Sequence, residues 1–390
     1  MKEVLLTTIA YSPNIGGIET HFDDLTKVLL KKGWKVDVLT YKPITTKASA
    51  PFIEKNGNLT IYRIPWFGGV FYNLVNNPIL EFMYLIPGLF LFIPVLLIKE
   101  KNISVIHSHG LIAGFAAVFW SKVFSKKVIT TTHSIYNFPK AGLYHIFAKW
   151  IFNKSDKILV LSKQSAEEIK SLGIDNIKIQ EFTYWVDLDK FKATSNKRQV
   201  KKQIGWEDKF IVLFVGRLVL EKGINELLEV AKIWDKNITL TIIGTGPMEN
   251  TISNFQRFDK LTVPSEVDGF PISNVQYLGK IDNDELPKYY NAADVLIVPS
   301  VHEEGFGRVI LESLACGTPV IGSNRGAIPE AIDQSVGKLI DVTPEKIKES
   351  AEYFYKNPDK LKKLSDNARK FAEKKYSEVN ADVIISTYIK

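Results

Sequence analysis

Two doubly wound α/β domains joined by a polar linker are what this 390-residue chain predicts. Three observations carry that reading. Short apolar runs alternate with amphipathic stretches through the first half. The pattern breaks after Leu188 into a polar, lysine-rich segment, Asp189 to Lys209, and a second alternating series begins at Phe210. Alternation of this kind specifies a parallel sheet covered by helices, and two such halves of similar size imply a cleft. The length suits two domains of ordinary size, and 45% hydrophobic residues with mixed charges describe a globular chain.

The elements follow in order. Val4 to Ile9 reads as a strand. Thr20 to Lys32 reads as a helix with Phe22, Leu25, Val28 and Leu29 on one face, stopped by Gly33. Val36 to Tyr41, Ile103 to His107, Lys127 to Thr132 and Lys157 to Leu161 are further strands. Beyond the linker come Phe210 to Val215, Leu240 to Ile243, Val275 to Leu278, Val295 to Val298 and Pro319 to Ile321. A polar insertion runs from Asn254 to Gly269. Pro358 to Lys390 reads as helical and returns to the first domain.

Phe82 to Ile98 carries no charged side chain but contains Pro87, Gly88 and Pro94. A membrane span needs about 20 apolar residues and would interrupt the alternating pattern. The expectation is a helix pair, buried or partly exposed, whose apolar surface is able to dip into one membrane leaflet.

The formal charge is +7 and the pI about 9.0. This balance favours anionic ligands or an anionic membrane surface. The charge is spread along the chain, and no compact basic tract marks a nucleic-acid binder. The single cysteine, Cys316, excludes an internal disulfide framework and fits a reducing compartment. The chain starts with a short charged stretch and a strand, not a signal peptide. The expected place is the cytoplasm, with peripheral contact at the inner membrane face.

Glu304 and Glu312, in Glu304-Gly-Phe-Gly-Arg-Val-Ile-Leu-Glu312, are the most informative pair. An apolar strand precedes them, a turn with Gly305 and Gly307 follows, and a helix comes next. That order aims backbone N–H groups and the positive helix end at whatever lies above the turn, a place suited to phosphate. Two carboxylates beside a phosphate are explained if the ligand also carries hydroxyl groups, as a nucleotide-sugar does. Transfer from such a donor leaves a diphosphate whose charge must be neutralised. Arg217 and Lys222, after a strand end, offer a metal-free answer: a planar guanidinium fork and a mobile point charge. An Asp-x-Asp, Asp187-Leu-Asp189, opens the linker. His107 and His109 share a strand face, and a metal pair there lacks a third ligand at matching spacing. His133 ends the strand Val128 to Thr132, where a doubly wound sheet places its site.

Tyr11 to Glu19 with its Gly16-Gly17 pair, Val215-Gly-Arg-Leu-Val-Leu-Glu-Lys-Gly223, Pro299 to Glu312, Gly317-Thr-Pro-Val-Ile and Gly326-Ala-Ile-Pro-Glu330 occur in this order. Together they resemble glycosyltransferase family 4, the retaining nucleotide-sugar transferases of the two-Rossmann GT-B fold. Tyr-Ser-Pro-x-x-Gly-Gly-Ile-Glu-Thr-His together with Ile106-His-Ser-His109 is similar to the branch acting on lipid acceptors, which includes the GPI-anchor N-acetylglucosaminyltransferases.

The resemblance implies domains at 1–188, acceptor-binding, and 210–375, nucleotide-sugar-binding, with a linker at 189–209 and a C-terminal helix at 376–390 returning to the first. It implies that Glu304 holds sugar hydroxyls and Glu312 ribose hydroxyls. Phe306, Gly307 and Arg308 meet the diphosphate, with Arg217 and Lys222 neutralising it. Gly16 and Gly17 let the opposing backbone approach the phosphates, and His133 stands beside the reacting sugar. His109, Tyr184 and Trp185 fall on the acceptor side. No metal and no cofactor are expected; the partners are a UDP- or GDP-sugar and a lipid-linked or oligosaccharide acceptor. One departure concerns Glu181-Phe-Thr-Tyr-Trp-Val-Asp187, where the family has Pro-Asn-Gly-Val-Asp: two aromatics replace the Asn-Gly turn. Competing readings are an epimerase on the same fold, a phosphorylase with a pyridoxal-phosphate lysine, and a non-catalytic sugar-nucleotide-binding subunit.

Overall fold

The computed structural model of the chain describes residues 2–14, 16–44, 48–67, 78–261 and 274–389. They form two compact units, Met1–Tyr184 with Glu378–Lys390, and Trp185–Ser377.

The first unit is built on an eight-stranded sheet. Its strands are β1 (Glu3–Thr7), β2 (Lys35–Tyr41), β3 (Ile53–Asn56), β4 (Leu59–Ile64), β5 (Ile103–His109), β6 (Lys127–Thr131), β7 (Lys157–Val160) and β8 (Ile179–Glu181), in the order β3-β4-β2-β1-β5-β6-β7-β8. Every pairing is parallel except β3 with β4. Central strands such as β1 are buried along their whole length, because helices cover both faces of a parallel sheet. The chain winds outward in both directions from the boundary of β1 and β5, so the carboxyl ends of those strands flank a topological switch point.

The β3–β4 hairpin and the short β8 were not foreseen. Strand β3 is exposed throughout and shows no apolar period. The signal that could have found it is the Gly57-Asn58 pair, with Gly57 at φ 56°, where the hairpin turns.

Pro78–Lys99 is one helix, not the expected pair, and runs through Pro87, Gly88 and Pro94. Neighbouring side chains satisfy backbone groups that the prolines and the local opening leave over. Trp120 Nε1 donates to Phe90 O at 2.7 Å, the carbonyl Pro94 cannot bond. The Tyr41 hydroxyl inserts into the ladder: it donates to Leu85 O and accepts from Leu89 N at 3.0 Å. A Cβ on Gly88 would lie 2.5 Å from that hydroxyl oxygen, so only glycine admits it. The inner face packs Leu85, Leu89, Ile93 and Leu96 into the core. By length and composition this helix could cross a membrane: mean hydropathy is 2.1 over Ile79–Lys99, with 33% of the apolar window buried.

At the amino ends of β1 and β2, Lys35 Nζ binds Glu3 at 2.9 Å and Glu100 at 2.8 Å, and lies 3.7 Å from Asp37. Asp37 is fully buried. Burial, reinforced by Glu3 and Glu100 and opposed by Lys35, pushes its carboxyl up to about 7. A carboxyl raised on folding stabilises the fold while both states are protonated, and that contribution is lost as pH rises from the ordinary carboxylate range to about 7. Asp37→Asn should therefore flatten the decline in melting temperature between acidic and neutral buffer, by roughly 5 °C. Parallel melting curves for wild type and variant across that range would disprove it.

The second unit carries a six-stranded, all-parallel sheet: β9 (Phe210–Val215), β10 (Ile238–Ile243), β11 (Val275–Tyr277), β12 (Val295–Val298), β13 (Val320–Ser323) and β14 (Gly337–Ile340), in the order β11-β10-β9-β12-β13-β14. Its switch point lies between β9 and β12. Residues 189–209, expected as a linker, fold within this unit. The helix Lys197–Gln203 docks through Lys201 Nζ on Asp294 Oδ2 at 2.5 Å, Thr194 N donates to Asn291 Oδ1 at 2.7 Å, and Trp206 is buried. Lysines of this segment are paired with acids of the unit, which a composition count does not reveal. Of the polar stretch from Asn254, residues 262–269 lie outside the described residues, while Glu249–Leu261 is helix. The helix Ala381–Ile389 packs on the first unit, with Lys32 Nζ on Asp382 at 2.7 Å.

Candidate active site

In the second unit, the chain leaving β9 forms a turn, Leu220–Lys222, and the chain leaving β12 forms the loop to Gly307. The two are laced together. Val301 N donates to Glu221 O at 2.9 Å, and His302 Nδ1 lies 3.0 Å from the same carbonyl. Lys222 Nζ bonds both Glu304 oxygens, at 2.6 Å for Oε2, and His302 Nε2 lies 3.4 Å from Oε2. The Lys222 and Glu304 side chains keep 18% and 12% of their surface accessible, enough for a ligand to reach them. Residues 82 apart thus meet at the switch point. Sequence reasoning named both without foreseeing that they pair, and assigned no role to His302.

Behind Glu304 the backbone is tightly seated. Ala327 N donates to Glu304 O at 2.9 Å. Gly326 holds φ 56°, and a Cβ there would stand 2.5 Å from Glu304 O. Gly307, at φ 72°, precedes the helix Arg308–Ala315. That left-handed step turns the chain from loop to helix.

The other expected donor residues are placed differently from one another. Glu312 is buried, and its Oε2 accepts from the Tyr290 hydroxyl at 2.8 Å. Burial, with the Glu312 carboxylate beside it, holds the Tyr290 phenol well above its usual range, so it stays protonated and donates. Arg308 is buried, not on a solvated helix face, and its guanidinium reaches Trp185 O at 3.4 Å. Phe306 is buried edge-on against Tyr376. Arg217 is exposed and makes no ion pair among the described residues. Asp187 Oδ1 accepts from Asp189 N at 3.1 Å and Lys190 N at 2.9 Å, a turn-forming role for the first residue of the Asp-x-Asp.

The first unit gathers four histidines. His107 and His109 end β5, His133 follows β6, and His21 comes from the helix Gly17–Lys31; all are buried. His107 lies 2.6 Å from the hydroxyls of both Thr131 and Tyr388. Tyr184 Oη is 2.6 Å from His133 Nδ1, and His133 Nε2 is 2.8 Å from His109 Nδ1. Burial pushes His133 down to about 3, and burial with His133 nearby does the same to His107. These imidazoles are neutral at physiological pH. Tyr184, His133 and His109 thus form one hydrogen-bonded row, and His109 Nε2 at its end has no hydrogen-bond partner among the described residues.

His21 was missed, although it closes the Gly-Gly motif; it lies on the helix face turned to the sheet, with its ring 4.5 Å from Tyr184 and 5.5 Å from His133. Tyr184 and Trp185, expected together on the acceptor side, are both buried and fall in different units. Gly16 sits at φ 172°, extended backbone open to any residue, and a Cβ there would meet only the flexible Glu19 side chain. Its backbone conformation does not demand glycine.

Two doubly wound sheets, one all-parallel and one parallel but for its β3–β4 hairpin, with the paired Lys222 and Glu304 at one switch point and the histidines at the other, define a two-domain α/β protein of the GT-B type. The chain belongs to the family 4 glycosyltransferases and is a glycosyltransferase: the family described as Glycosyl transferases group 1 matches residues 196–371, and Glycosyltransferase Family 4 matches residues 15–190. An uncharacterized glycosyltransferase of Methanocaldococcus jannaschii is 27% identical, over 96% of this chain and 94% of that protein. A phosphatidylinositol N-acetylglucosaminyltransferase component of Arabidopsis thaliana is 23% identical, over 88% of this chain and 72% of the relative. Among solved structures, sucrose-phosphate synthase of Thermosynechococcus elongatus superposes with a TM-score of 0.81 at 23% identity, covering 100% of this chain and 98% of that one. HepE of Anabaena, solved with UDP, gives 0.75 at 18% identity, covering 100% and 99%.

Proposed function

We propose that the chain is a retaining glycosyltransferase that moves a sugar from a UDP- or GDP-sugar to a lipid-linked or glycan acceptor without a metal ion. The observation that carries the reading is the Lys222–Glu304 pair, held at the switch point of the second sheet by the lacing of two strand-end loops. A diphosphate arriving there draws Lys222 toward its oxygens, with Arg217 free to join it. Glu304, released from its lysine, accepts hydrogen bonds from sugar hydroxyls. Glu312, oriented by Tyr290, takes the ribose hydroxyls. The departing phosphate receives the acceptor's proton on the face it leaves. His133 contributes as a neutral group, since burial keeps it unprotonated.

Support for a nucleotide donor comes from HepE, which was solved with UDP. Support for a lipid-linked acceptor comes from the name of the Arabidopsis relative, a phosphatidylinositol N-acetylglucosaminyltransferase component. The outer stripe of Pro78–Lys99 supports peripheral membrane contact. Met83, Leu91, Val95 and Ile98 are 70%, 63%, 57% and 62% exposed, and no charge interrupts them. Leu96 is buried in the core and Phe92 packs partly against it, so contact falls chiefly on those four.

A thermal-shift series with UDP, GDP and their sugars tests the donor, since a ligand bound only by the folded state raises its melting temperature. UDP or GDP should stabilise the protein equally with and without EDTA, and transfer should survive chelation. Loss of activity on chelation, restored by Mn²⁺ or Mg²⁺, would overturn the metal-free reading.

A further inference from the structure

At the amino ends of β6 and β7, away from the histidines at the strands' other ends, the first unit carries a surface cavity of about 710 Å³. Lys122, Lys126, Lys127 and Lys157 line it, with Asp156 the single acid. Asp156 is already engaged: Oδ2 accepts from Val128 N at 2.7 Å, and Oδ1 lies 3.5 Å from Lys122 Nζ. Lys126 and Lys157 donate to the backbone carbonyls of Lys101 and Ile177, at 3.3 Å and 2.7 Å. Four positive side chains therefore share one carboxylate, and three charges stay uncompensated by the lining. Lysines crowded in this way repel one another unless a multivalent anion joins them.

The cavity also lies where two apolar faces end. The helix Gly110–Val123 brings Lys122 into it and leaves neighbouring Val123 59% exposed. One turn earlier, Phe119 sits with its ring 4.9 Å from Phe90 of Pro78–Lys99. The Lys101 carbonyl that Lys126 binds follows two residues after that helix. A cationic seat adjoining a charge-free apolar stripe matches the boundary between phosphate headgroups and hydrocarbon.

We propose that this lysine-lined cavity is a phosphate-binding site, distinct from the donor site, that seats the headgroup of an anionic phospholipid when the first unit docks on a membrane. It deepens the membrane contact proposed above and needs nothing from the second unit, so donor binding reads out separately.

The test uses the full chain with vesicles of phosphatidylcholine alone or mixed with phosphatidic acid. Wild type should sediment with the mixed vesicles and not with phosphatidylcholine. Lys126→Glu/Lys127→Glu should bind the mixed vesicles at least about tenfold more weakly, given the attraction each lysine contributes near such a surface, while its thermal shift with UDP or GDP stays that of wild type. If the double reversal does not fold, Lys122→Ala/Lys126→Ala carries the same comparison with a smaller expected loss. Undiminished vesicle binding by a folded variant overturns the proposal. So does a wild type that binds inorganic phosphate in solution but ignores the mixed vesicles. Loss of the nucleotide shift in wild type would instead count against the donor reading and leave the vesicle result standing.

Discussion

Glu304→Ala keeps the fold and loses transfer by about 10²–10³-fold, the usual loss when one preorganised group at a charge-developing centre is removed. Lys222→Ala falls as far, for a different reason. In the resting protein each side chain neutralises the other, so either truncation leaves a partly accessible charge that solvent in part satisfies. The two variants should then separate in binding. Lys222→Ala weakens affinity for the free nucleoside diphosphate, which needs the cation. Glu304→Ala leaves that affinity near wild type and loses the added affinity for the sugar-bearing donor. Turnover and thermal shift with diphosphate and with nucleotide-sugar decide it, and near-normal turnover by either variant removes that residue from the site. Because the partners meet directly, the double variant should cost less than the sum of the two single losses.

Gly326→Ala should be almost as damaging although it removes no functional group. The residue holds φ 56°, and an added Cβ would press on the backbone of Glu304. Strain of this kind costs about 1–3 kcal/mol when a non-glycine is forced to hold it. Relief requires the Glu303–Glu304 segment to shift, breaking the Ala327 N to Glu304 O bond and moving the carboxylate off Lys222. Denaturant midpoint and transfer rate should fall together. A Gly326→Ala protein with wild-type stability and turnover would show that the loop yields without consequence.

The fold class was legible because parallel strands buried on both faces read as short apolar runs, and those runs recur at regular spacing. The exposed hairpin strand β3 has no such signature and was invisible. Pro78–Lys99 was split in expectation because two prolines ordinarily end helices. What keeps it whole is Tyr41 and Trp120, 48 residues before Leu89 and 30 after Phe90, contacts no local pattern contains. At the candidate site, Glu304, Lys222 and His133 could be named from motif order, since each follows a strand end. Their partners could not. Tyr290 beside Glu312, Trp185 under Arg308, and His21 among the other histidines are brought together by tertiary packing alone.

The return of Glu378–Lys390 to the first unit means that neither half can be excised by a single cut. A fragment ending at Tyr184 would lack the helix Ala381–Ile389, and with it the Tyr388 hydroxyl on His107 and the edge-on contact of Tyr388 with Trp34. Its buried histidine row would open at one end and its sheet would lose a cover. Anyone isolating the first half for binding work would do better to splice residues 378–389 behind Tyr184 with a short flexible connector, joining in sequence what the native chain joins only in space.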